Sequence, residues 1–308
     1  MQIALAGIGK IAIDQHVPAL SASEDWELAA TVSRSGTVDG VDAFDSLDAM
    51  LEACPEIRVV SLCLPPVPRF EYAAKALAAG RHVMLEKPPG ATLSECAELE
   101  RMARARGLSI YATWHSREAQ QVASAKAWLA GKTLKSLHIT WREDVRRWHP
   151  GQDWIFEPGG LGVFDPGINA LSILTEILPD AIHLREALLS FPDNRQAPIA
   201  AELAFRHPGG AAISCDFDFR QEGEQTWEIE AICAEGTLKL THGGAQMFVD
   251  GAPAGEALTG LAGEYPRLYA KMAQLVRNGR IDMDLSPMSH VADAFLLGRR
   301  ETVAPFHF

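Results

Sequence analysis

The first third of the chain repeats one pattern. A short apolar run is followed by a longer stretch with apolar residues every three or four positions. Residues 2–6 (Gln-Ile-Ala-Leu-Ala) form such a run, and unbroken runs of this length fit parallel strands covered on both faces. Helical spacing follows over 10–21. The alternation then predicts strands at 27–33, 59–64, 82–85 and 109–113, separated by helices at 46–53, 71–79 and 93–106. Strand and helix in regular alternation make a parallel sheet, and right-handed crossovers put helices on both of its faces. The expectation is a doubly wound Rossmann domain over residues 1–114.

After Trp114 the rhythm changes. Helical spacing covers 118–130 and 162–178. Strand patterns then follow one another at 184–191, 199–205, 211–219, 226–234, 237–241 and 246–249, punctuated by Pro208-Gly209-Gly210 and Gly243-Gly244. Strands joined by short turns predict a large, open, mainly antiparallel sheet. Helical spacing returns at 264–279 and 286–298. The second domain is therefore expected to be α+β and to span 115–308, with its last helices able to pack back on the first domain.

Length and composition narrow the function. The 308 residues allow two domains, and 47% hydrophobic with 22% charged residues excludes a disordered chain. With 28 basic against 40 acidic residues the net charge is −12, which repels a phosphate backbone. The one basic cluster, Arg142, Arg146 and Arg147, is interleaved with Glu143 and Asp144, so no nucleic-acid partner is expected. No apolar run approaches the roughly 18 residues of a membrane span, and the first residues lack a signal-peptide pattern. Five scattered cysteines predict free thiols and a cytoplasmic setting. No metal site is expected: His115, Glu143 and His149 have no spacing that fixes an ion.

Gly7-Ile8-Gly9-Lys10-Ile11-Ala12 is G-x-G-x-x-A, placed directly after a strand and opening a helix. Gly7 suits the tight turn, Gly9 the approach of a pyrophosphate, and Ala12 the close packing of helix on sheet. The backbone N–H groups at Lys10 and Ile11 open the helix toward the phosphates. The second strand ends near Ser33-Arg34, where NAD-specific sites carry an acidic residue. A guanidinium here can pair with a 2′-phosphate, so NADP is expected to be accepted alongside NAD, and possible preference goes to NADP.

At Glu86-Lys87-Pro88 the sequence resembles the Gfo/Idh/MocA oxidoreductases. The likeness also rests on the G-x-G-x-x-A, on Ser61-Leu62-Cys63-Leu64-Pro65-Pro66 and on Ala79-Gly80-Arg81-His82-Val83. It implies a nicotinamide cofactor, with Leu64, Pro65, Glu86 and Lys87 at its site, and a homo-oligomer built through the C-terminal sheet. Residues 84–93 and 141–172 resemble the family's aldose 1-dehydrogenase subgroup, whose members oxidise the anomeric carbon of sugars such as galactose and arabinose. Many family members have Asp-x-Gly-x-His where this chain has Asp165-Pro166-Gly167-Ile168-Asn169. Asn169 cannot take a proton near neutral pH, so a histidine base cannot be carried over.

Oxidising C1–OH removes a proton from oxygen and a hydride from carbon, with the base about 3 Å from the hydroxyl. Asp165 and Asn169, four apart, share one helix face. The resemblance makes Asp165 the general base, Lys87 the group on the C1 oxygen, and Asn169 an orienting residue, with Lys87 as base the alternative. These two charged groups are expected to converge on one sugar oxygen. Read alone, Asp165 is more often an N-cap, with Pro166 behind it, and Lys87 more often a solvated loop residue. Five of the seven tryptophans lie between Trp114 and Trp154. Sugar C–H faces pack on aromatic rings, so His115, Glu143, Trp148, His149 and Trp154 are candidate sugar contacts. A dehydrogenase of another polyol or a dihydrodiol, and a catalytically silent dinucleotide-binding regulator, remain open alternatives.

Overall fold

The computed structural model describes residues 1–255 and 263–308. The chain divides into two compact units, Met1–His115 with Gly260–Leu285 and Ser116–Thr259 with Ser286–Phe308.

The first unit holds a six-stranded parallel sheet in the order β3-β2-β1-β4-β5-β6. Its strands are β1 Gln2–Ala6, β2 Glu27–Val32, β3 Asp42–Phe44, β4 Val59–Leu62, β5 His82–Leu85 and β6 Ile110–Ala112. Strand order reverses at β1, which lies between β2 and β4. The carboxyl end of a strand at such a reversal is where open α/β sheets bind ligands. β3 has three residues, too few to show a pattern, and sequence reading missed it. The helix Pro66–Ala78 starts earlier than residue 71. Pro66 and Pro68 stand in its first turn, where a missing N–H is no loss.

The helix Glu264–Asn278 also belongs to this unit. Its Tyr265, Leu268, Tyr269, Met272 and Ala273 recur at helical spacing and bury against Ile3, Leu20, Trp26, Val59, Met84 and Tyr111. Trp26 Nε1 donates to the Tyr269 carbonyl at 2.8 Å. Tyr265 and Tyr269 are thereby held inside the Rossmann unit.

The second unit carries a nine-stranded sheet in the order β14-β13-β12-β11-β7-β10-β9-β8-β15. In chain order the strands are β7 Leu134–Arg142, β8 His183–Pro192, β9 Ala200–Arg206, β10 Ala212–Asp218, β11 Thr226–Cys233, β12 Gly236–Thr241, β13 Gln246–Val249, β14 Ala252–Ala254 and β15 Arg299–Val303. Most neighbours are antiparallel, while β7 with β10 and β8 with β15 are parallel. β7 was not predicted, although it is central and alternates buried and open positions. β14 and β15, the two edges, also escaped notice.

The helix Phe164–Ile177 is buried on nearly all sides. Gly167 explains its closeness to the sheet: a Cβ there would stand 2.8 Å from the Phe217 ring on β10. The Phe164 ring sits 5.6 Å from that of Phe295 on the helix Ser286–Leu297. The five cysteines are free thiols, four of them buried and Cys63 half-buried. Among the described residues no helix is long and apolar enough to cross a membrane.

Candidate active site

The chain turns at Gly7 directly out of β1. Gly7 has φ +90°, and a Cβ there would stand 2.8 Å from Leu64 N. Only glycine fits both demands. A Cβ at Gly9, by contrast, would meet nothing within 4 Å. Its small size serves no internal packing and leaves open backbone where a pyrophosphate fits. The helix starts there, with Ile13 N–H donating to the Gly9 carbonyl at 3.1 Å. Ala12 is buried, while Lys10 and Ile11 are exposed and Lys10 pairs with Asp14.

Beyond β2, Ser33 Oγ accepts from Gly36 N–H at 3.0 Å and from Ser35 N–H at 3.3 Å. This tight turn carries Arg34, which is exposed. A Cβ on Gly36 would lie 2.4 Å from the Ile8 carbonyl, so the turn rests directly on the Gly-rich loop. Gly36 was missed in the sequence. A serine three residues before a glycine at a strand end was the available signal.

Leu64 backs Gly7, and exposed Pro65 caps the helix Pro66–Ala78. At the end of β5, Lys87 is half-buried. Glu86 is buried and its carboxylate faces inner partners. Oε1 accepts from Tyr265 OH at 2.8 Å and lies 3.3 Å from His16 Nε2, and Oε2 accepts from Lys87 N–H at 2.6 Å. His16 Nδ1 is 2.7 Å from Tyr269 OH. Burial alone would raise the Glu86 pKa, but His16, with His115 and Lys87 adding charge, holds it far below the usual carboxylate range. His16 moves the other way. Burial opposes its charge, yet Cys63, Tyr269 and Glu86 outweigh it and raise the imidazole. Burial and Glu86 push the Tyr265 phenol up. The Glu86 side chain is thus engaged in the interior, which sequence reading had placed among the cofactor contacts. His115 also falls in the first unit. It stacks on Tyr265 at 5.7 Å, and its Nδ1 is 2.6 Å from Glu264 Oε2.

In the second unit, Asp165 lies in the first turn of Phe164–Ile177 and is buried. Val163, not Asp165, is that helix's N-cap. His149 Nε2 is 3.3 Å from Asp165 Oδ2, and the His149 ring meets Phe219 edge-on at 6.0 Å. Asn169, one turn along, is half-buried. Glu143, at the end of β7, is buried and accepts from Trp227 Nε1 at 2.9 Å. Trp227 pairs in register with Trp141 across β11 and β7, and its ring is 5.7 Å from that of Trp148. Trp148 and Trp154 remain 41% and 38% exposed, so their rings are available to a ligand. The arginines near Glu143 are matched by acids: Arg142 pairs with Asp216, and Arg146 lies 3.6 Å from Asp144 and 3.8 Å from Glu222. Among the described residues no group of three or more His, Cys, Asp or Glu is placed to hold a metal ion.

Trp227 stands on β11. Its bond to Glu143 could not be seen without the β7–β11 register. Arg69, buried beside Lys87, was not considered at all. An arginine inside a helix otherwise reads as surface.

A parallel sheet with a glycine turn at its strand reversal and a lysine just past the end of β5 is the arrangement of a dinucleotide-binding oxidoreductase. The chain belongs to the Gfo/Idh/MocA oxidoreductase family. Residues 1–113 match the family described as oxidoreductases with an NAD-binding Rossmann fold. Over 307 residues, 100% of this chain and 99% of the relative, it is 42% identical to a galactose 1-dehydrogenase from Pseudomonas fluorescens. The crystal structure of a D-galactose-1-dehydrogenase protein from Rhizobium etli is 52% identical and superposes with a TM-score of 0.95, covering 99% of this chain and 97% of that one. A 3-ketoreductase from Actinomadura kijaniata, solved with NADP and TDP-benzene, shares the fold at 19% identity and a TM-score of 0.82, covering 98% and 99%.

Proposed function

We propose that this protein oxidises the anomeric carbon of an aldopyranose, D-galactose, L-arabinose or both, to the aldonolactone, with NAD or NADP as acceptor. The observation that carries the reading is the Asp165 carboxylate. It is buried in the first turn of its helix and lies 3.3 Å from His149 Nε2. A buried carboxylate beside an imidazole is a candidate for proton chemistry. The galactose 1-dehydrogenases named above, alike over nearly the whole chain, supply the substrate class.

In this reading Asp165 takes the proton of the C1 hydroxyl, and His149 orients the carboxylate and stabilises its charge. Lys87 donates to the same oxygen and offsets the negative charge that grows on it as the carbonyl forms. Asn169 holds a neighbouring sugar hydroxyl. The nicotinamide, when bound, supplies the acceptor for the C1 hydride. Gly7 and Gly9 admit its pyrophosphate, and Arg34 meets a 2′-phosphate where present. Trp148, Trp154 and Trp227 present ring faces to the sugar's C–H groups, with Glu143 and His149 bonding hydroxyls.

The test is incubation with NAD⁺ or NADP⁺ and a panel of aldoses, polyols and dihydrodiols, following absorbance of the reduced cofactor. Sugar-dependent reduction with D-galactose or L-arabinose is expected. No signal with either contradicts the assignment, and a signal with a polyol alone reassigns the substrate.

A further inference from the structure

The main chain around Lys87 is held by a buried side chain that the proposed chemistry does not use. Arg69, on the helix Pro66–Ala78, is only 2% exposed. Its guanidinium donates to the carbonyls of Glu86 and Pro88, the residues on either side of Lys87. It donates also to the carbonyl of Leu64. The Glu86 carboxylate accepts the Lys87 N–H at 2.6 Å. The strand β5 has ended at Leu85. The amide of residue 87 and the two flanking carbonyls are therefore fixed by side chains.

The way Arg69 is used is unusual for a buried cation. Such groups ordinarily face a carboxylate. Among the described residues Arg69 makes no ion pair, and its Nε has no hydrogen-bond partner. Leaving a buried donor orphaned is costly. The orientation of the fork toward three carbonyls outweighs that cost. Burial pulls the Arg69 pKa down to about 10, with Glu86 and the nearby thiols working against the fall, so the group stays charged near neutral pH. Leu64, the third partner, is the residue that Gly7 packs against. One guanidinium thus links the Lys87 loop to the wall of the Gly-rich turn.

We propose that Arg69 is the positioning residue of Lys87: it ties the main chain at Glu86 and Pro88 to that at Leu64 so that the ammonium meets the reacting oxygen. This rests on the role given to Lys87 above. A lysine in its place keeps the charge but lacks the planar fork needed to span three carbonyls.

The test compares Arg69→Lys and Arg69→Met with the parent enzyme, each well below its own melting temperature. Two readings are taken: steady-state kinetics with sugar, and acetylation of Lys87 relative to exposed Lys75, followed by peptide mass spectrometry. The expected result is a kcat lower by ~10- to 100-fold, as a displacement of about 1 Å produces, with Lys87 acetylation altered and Lys75 acetylation unchanged. Wild-type kcat and wild-type Lys87 labelling, with only the melting temperature lowered, would overturn the proposal. If the Met variant does not fold, Arg69→Lys carries both readings. If the parent enzyme itself reduces no cofactor with any sugar, the proposed function fails, and the labelling ratio still decides whether Arg69 positions Lys87.

Discussion

His149 Nε2 stands 3.3 Å from Asp165 Oδ2, the ring arriving from the turn after the helix Val145–Trp148 and the carboxylate from the first turn of Phe164–Ile177. An imidazole this close orients a carboxylate and stabilises its charge, an arrangement suited to a general base. Asp165→Ala should lower kcat with galactose by ~10²- to 10⁴-fold, the usual worth of a positioned acid–base group. Binding of NADP⁺, read by fluorescence titration, should be nearly unchanged, because the Gly-rich turn lies elsewhere in the chain. Turnover close to wild type removes Asp165 from the mechanism.

Gly167 makes the placement of Asp165 possible. A methyl at this position would stand 2.8 Å from the Phe217 ring. Overpacking of this kind costs roughly 1–3 kcal/mol. Gly167→Ala should therefore lower the unfolding free energy by that amount, read as a lower urea midpoint at unchanged m, and reduce kcat by displacing the helix. An unchanged midpoint would show that the ring yields freely and that the close approach is not required.

The pair His16 and Glu86 predicts a pH dependence of stability. His16 is raised in the folded chain, so its stabilisation is complete below about pH 6.5, the ordinary imidazole value, and is lost as pH rises through the higher folded value. Glu86 is depressed, so its stabilisation is present above about pH 4.3 and is lost as pH falls through its folded value. The melting temperature should thus decline as the pH rises above about 6.5, and His16→Gln should flatten that decline. Parallel pH profiles for the two proteins would contradict a charged His16.

Arg34 stands exposed on the turn that rests against Ile8. Charge-assisted bonds to a phosphate are worth about 1.5–3 kcal/mol, so Arg34→Ala should raise KM for NADP⁺ about tenfold or more. KM for NAD⁺ should change little. Equal effects on the two cofactors would place the 2′-phosphate elsewhere.

The Rossmann unit was legible because its buried strands are continuous apolar runs and its glycine turn has one physical meaning. β3 was not, since three residues show no period. In the second unit β7 was overlooked, although Leu137, Ile139 and Trp141 alternate with Ser136, His138 and Thr140 as in a half-buried strand; only its place beside β10 is set by long-range pairing. The proposed catalytic residues Lys87, Asp165 and Asn169 were reached through resemblance, because a lysine beside prolines and an aspartate at a helix start read locally as loop and cap. Their supports stayed invisible. Arg69, Tyr265 and Gly36 act through contacts with residues distant in sequence or through backbone approach, which no local pattern reports.

The central claim is a hydride leaving the sugar's anomeric carbon. The most direct measurement uses D-galactose deuterated at C1, with mass spectrometry of the reduced cofactor and the product. Deuterium is expected on the nicotinamide, with none left in the product lactone. Unlabelled reduced cofactor, with deuterium kept in the sugar product, would contradict it.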